Sequence, residues 1–86
     1  MPEWSEDFSN RTLQEVLRTN DENRAWSKEL RVGMNAVLDR KLAKEISLEE
    51  YAANRRHFHD EMAECQRRST ILAREITSRR LARSYV

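Results

Sequence analysis

The sequence predicts an all-α fold, a long antiparallel helical hairpin, on three observations. The 86 residues contain a single Gly, Gly33, and a single Pro, Pro2. A β-rich fold of this size consumes a turn residue every ~8–12 positions, and this chain has none to give. Apolar residues recur at three- and four-residue steps along two long stretches, the spacing of one helix face. A helix-start signal separates those stretches, so the chain reverses between them.

The segments read in order as follows. Residues 1–10 form an acidic arm carrying Trp4 and Phe8, with room for a short extra helix. Residues 11–83 form the hairpin, and 84–86 a tail. In the first long stretch Leu13, Val16 and Leu17 make a short stripe. A polar run from Arg18 to Arg24 follows, which reads either as a break or kink, with Thr19 or Asn20 capping a new helix, or as one exposed turn of a continuous helix; the break is favoured. Trp26, Leu30, Met34, Val37, Leu38, Leu42 and Ile46 then continue on one face.

The turn is expected at 45–48. Ser47 as N-cap accepts from the backbone N–H of Glu50, and Glu50 reaches back to the N–H of Ser47, a capping box. Ile46 and Tyr51 flank it in the positions of a hydrophobic staple. This six-residue string resembles the openings of many coiled-coil helices. From Leu48 a heptad seam runs through Tyr51, Arg55, Phe58, Met62, Cys65, Ser69, Leu72 and Ile76. Counting outward from the turn, position i faces about 94 minus i. That places Trp26 near Ser69 and Leu17 near Ile76. Gly33 reads either as a tolerated glycine or as a close approach of another helix.

Two helices share one seam, and a core this small rarely yields more than ~3–5 kcal/mol. Folding of Trp4 and Phe8 onto the open end of the hairpin adds to it. Self-association into a helical bundle is the usual further remedy, so a homo-oligomer, most simply a dimer, is expected.

Chemistry is thinly represented. His57 and Glu61 share a face, but two groups from one helix do not complete a metal site. Cys65 sits on the seam without a base beside it, as a small buried hydrophobe does. No Gly-rich phosphate loop or nucleophile–base pair is present. The expectation is therefore no enzyme, no catalytic residue, no metal and no cofactor. One lone cysteine, no signal peptide at the start and no apolar run long enough for a membrane point to a cytoplasmic protein.

Charge is uneven along the chain. From Arg67 onward, Arg67, Arg68, Arg74, Arg79, Arg80 and Arg83 face Glu75 alone, whereas the first 29 residues are net acidic. Two readings follow. The basic end binds an anion, or it pairs with the acidic beginning that the hairpin brings beside it. Arg55 on the seam reads either as paired with an acid such as Asp39 or Glu45 across the hairpin, the preferred reading, or as snorkelling outward. Ser84-Tyr85-Val86 reads as a frayed tail, with the form of a C-terminal ligand for a PDZ-type groove.

The functional expectation is a small adaptor, inhibitor or regulatory subunit that binds a protein partner through helix faces. Its candidate partner-binding residues are Arg55, Arg67, Arg68, Arg74, Arg79, Arg80, Trp4 and Phe8. The second expectation, from another class, is an oligomer binding a nucleotide, RNA or DNA through the C-terminal arginines.

Overall fold

The computed structural model describes residues 1–84 and is a rod of 60 × 17 × 16 Å. Two antiparallel helices build it, α1 over Leu13–Leu42 and α2 over Leu48–Ser84. The all-α hairpin is thus the observed fold. The arm contains no helix, nor do the two residues that join it to α1. Of the expected tail, Ser84 belongs to α2, while Tyr85 and Val86 lie outside the described residues.

Thr12 caps α1 in extended backbone, its Oγ1 accepting from the N–H of Glu15 at 3.2 Å. Its hydroxyl also donates to Glu15 Oε1 at 3.3 Å. The helix then runs unbroken through the polar stretch, so the break expected at Arg18–Arg24 is not there. Nothing in that stretch interrupts the backbone ladder, since it holds neither Gly nor Pro. Most of its side chains face water. Asn23 is the exception: it is buried, and its Nδ2 donates to the carbonyl of Cys65 at 3.2 Å across the hairpin.

The reversal occupies residues 43–47. Lys44 takes a left-handed conformation with φ 59°. Its N–H donates to the carbonyl of Lys41 at 3.0 Å, and that of Glu45 to Arg40 at 2.9 Å. These are the two bonds of a Schellman cap, built here on a lysine instead of a glycine. Ser47 then starts α2, its Oγ accepting from the N–H of Glu50 at 3.1 Å. The reciprocal half of the box differs from expectation: Glu50 Oε1 accepts from the Ser47 hydroxyl at 3.4 Å, a weak side-chain contact.

Packing is concentrated toward the open end. Phe8 of the arm joins Val16, Leu72 and Ile76 in one buried cluster, with Trp4, Leu17 and Ile71 against it. Val16 and Leu72 are completely enclosed. A second cluster, Trp26, Leu30 and Cys65, lies further along, with Phe58 and Met62 packed on it. Between Arg31 and Glu64 no residue is fully buried. The facing rule holds for Leu17 and Ile76, which share the first cluster. Trp26, expected opposite Ser69, has the neighbouring Arg68 against its ring.

Candidate functional site

Three arginines of α2 hold the arm. Arg68 is only 5% exposed. Its guanidinium carbon lies 5.1 Å from the ring of Trp4 and 5.0 Å from that of Trp26. Nη1 donates to the carbonyl of Pro2 at 3.0 Å and Nε to Glu64 Oε1 at 3.0 Å. A guanidinium is weakly hydrated and planar, so two aromatic faces, a carbonyl and a carboxylate suffice to bury it. One helical step before it, Arg67 bridges Glu6 of the arm and Glu64 of its own helix. Arg79 reaches the carbonyls of Phe8, at 2.7 Å, and Arg11, and pairs with Glu75 at 2.7 Å. Trp4 and Phe8 meet edge to face at 5.9 Å, and Arg11 stands over the Phe8 ring at 5.6 Å.

The carboxylates record this clamp. Hydrogen bonds from Arg67 and then Arg68 pull Glu64 down to about 2. Glu6 is lowered by the Arg67 hydrogen bond and then by the Trp4 indole. Asp7 is lowered by the hydroxyl and backbone N–H of Ser9.

The eight candidate residues therefore do not converge on one site. Arg67, Arg68, Arg79, Trp4 and Phe8 form the clamp. Arg74 and Arg80 are exposed and make no ion pair among the described residues. Arg55 lies toward the other end of the rod, exposed, and its expected pairing with Asp39 or Glu45 is absent among the described residues. Arg40 is 3.8 Å from Glu45 instead, which follows the tight turn. Of the expected pairing between acidic start and basic end, one ion pair is present among the described residues, Glu6 with Arg67. The other hydrogen bonds from these arginines to the arm go to backbone carbonyls.

Arg55 lines a groove of about 190 Å³ at the turn end, together with Met34, Asn35, Val37, Leu38, Tyr51 and Phe58. Leu42 and Leu48 are 70% and 72% exposed beside the turn. Sequence reasoning assigned most of these residues to the seam and so missed the groove. The signal was present in the two leucines flanking the turn, which no residue of a two-helix hairpin is placed to cover.

The Cys65 thiol donates to the carbonyl of Asn23 at 3.5 Å, and burial pushes its pKa up, away from a reactive thiolate. His57 stands 3.9 Å from Glu61 and edge-on to Phe58. Among the described residues no three His, Cys, Asp or Glu side chains are grouped to hold a metal, and no helix is long and apolar enough to cross a membrane. Compared with known proteins, the chain matches no family model, no curated sequence and no solved structure.

Proposed function

We propose that the chain is a non-enzymatic interaction protein, an adaptor or regulatory subunit, that presents the solvent side of the C-terminal part of α2 to an acidic surface of a protein partner. The observation that carries this reading is the division among the arginines. Arg67, Arg68 and Arg79 are saturated by the arm and by Glu64 and Glu75. Arg74, Arg80 and Arg83 are exposed, and the one carboxylate in their stretch, Glu75, is taken by Arg79. Planar guanidinium forks held on a rigid helix are suited to bidentate pairing with carboxylates, and arginine is enriched among interface hot spots. The lone, enclosed Cys65 supports a reducing, cytoplasmic setting.

A second reading has its own observation. A groove of about 410 Å³ between the helices is lined by Arg24 and Arg80 with Asn20, Ser69 and Thr77, groups that suit a phosphate. Asp21 shares that groove and opposes an anion, so the protein partner stands first.

The test uses Arg74→Glu, Arg80→Glu and Arg83→Glu together, which leave the clamp intact. Capture of a specific partner from native lysate, with nuclease treatment, should be lost while helicity by circular dichroism is kept. Capture unaffected by the triple reversal overturns this reading. Capture abolished by nuclease replaces it with nucleic-acid binding.

A further inference from the structure

Burial ends halfway down the rod. Beyond Leu30 on α1 and before Cys65 on α2 no residue is enclosed, yet Met34, Leu38, Leu42, Leu48, Tyr51 and Phe58 all lie there. The total accessible surface is 6703 Å². A compact monomer of 10.3 kDa exposes about 5,400 Å² by the scaling of surface with mass. The excess is larger than the ~800 Å² that each partner contributes to a standard interface.

We propose that the turn end of the hairpin is a homodimer contact, in which two copies lay their grooves against each other and complete a four-helix bundle. The charges around the groove identify the occupant. Residues 39–56 carry Arg40, Lys41, Lys44, Arg55 and Arg56 against Asp39, Glu45, Glu49 and Glu50. A strongly acidic or basic partner would meet like charge somewhere on this rim. A two-fold contact sets a patch against itself, so it requires both signs on one surface.

Their order on α2 fits that symmetry. The helix begins Glu49-Glu50, continues through Tyr51-Ala52-Ala53-Asn54, and reaches Arg55-Arg56. Tyr51 and Arg55 line both the groove and an adjoining hollow with Ala52, Arg56 and His59, so this side of α2 is continuous with the groove. If two such helices cross antiparallel with the two-fold axis at Ala52–Ala53, the acids of each copy meet the arginines of the other. The alanines allow close approach there. Glu49, Arg55 and Arg56 make no ion pair within the chain among the described residues, so all three are available.

Sedimentation equilibrium of the full chain at micromolar concentration is expected to give twice 10.3 kDa. Leu38→Glu with Leu48→Glu, both at exposed positions, should give a monomer of unchanged helicity. Glu49→Arg alone and Arg56→Glu alone should each weaken the dimer by more than about tenfold. An equimolar mixture of the two variants should recover it, because each then meets the opposite charge. A wild-type monomer overturns the proposal and leaves the groove to a different protein. So does a dimer that survives the leucine substitutions, or single-charge variants that dimerise like wild type. Arg74, Arg80 and Arg83 lie outside this contact, so partner capture that survives their reversal, with the dimer intact, refutes only the reading of the basic surface.

Discussion

The ring of Phe58 occupies the space that a β-carbon on Gly33 would need. A Cβ built on Gly33 comes 2.6 Å from both Cε1 and Cζ of that ring. Of the two readings of this glycine, the close approach is the one realised, by a side chain of α2. Gly33→Ala should gain ~1 kcal/mol of helix propensity and lose ~1–3 kcal/mol to overpacking. We expect a net loss of up to about 2 kcal/mol, measured by urea denaturation. In a Phe58→Ala background the same change should stabilise by about 1 kcal/mol. The same sign in both backgrounds would disprove the contact.

The Schellman cap on Lys44 carries avoidable strain. A non-glycine residue in the left-handed region costs ~1–2 kcal/mol, partly offset because glycine is freer when unfolded. Lys44→Gly should therefore raise stability by about 1 kcal/mol, and Lys44→Val should lower it. A thermal melt in which Lys44→Gly is the less stable protein contradicts the observed turn.

Acid should release the arm. Glu64 is lowered from 4.5 to about 2 by its arginine partners. Its contribution is complete above the unfolded value and is lost as pH falls from there toward 2. Glu6 and Asp7 are lowered as well and act in the same direction. The melting temperature should drop across this window, and Trp fluorescence should change as Trp4 leaves Arg68. Glu64→Gln should flatten the drop. An unaltered pH profile in that variant would count against the clamp.

Where the core lies can be checked with three truncations to alanine. Leu72 is enclosed and Phe8 nearly so, and their loss should cost ~2–5 and ~3–5 kcal/mol. Leu42, equally apolar, is exposed in the monomer, and its truncation there should stay within about 0.5 kcal/mol. The comparison belongs in the monomeric Leu38→Glu, Leu48→Glu background. A large effect at Leu42 would place the core elsewhere.

Both helix starts were legible in the sequence, because Ser47/Glu50 and Thr12/Glu15 each carry the capping pattern in four residues. The first was read and the second passed over. The polar run Arg18–Arg24 misled because a count of polar residues does not show which one faces inward. Asn23 does, and its partner is a backbone carbonyl invisible to side-chain patterning. The seam was nearly right, but it named Ser69 where Arg68 is the buried residue. Burying a guanidinium required Trp4, which is 64 positions away and joins by a segment without periodicity. The left-handed turn residue was hidden for a simpler reason: the position glycine usually marks is held by Lys44.

The clamp ties together residues that are 61 to 71 positions apart, from Glu6 with Arg67 to Phe8 with Arg79. Closing a loop of ~70 residues costs about 1.7 kcal/mol more entropy than closing one of ten. The better-packed end of the rod is thus the end that must be reached last. The short loops near the turn close early but have little apolar contact in a monomer to hold them. The rate-limiting step of folding is expected to be the meeting of Trp26 and Leu30 with Cys65, with the arm docking afterwards. Phe8→Ala should then accelerate unfolding and leave the refolding rate almost unchanged, whereas Leu30→Ala should slow refolding.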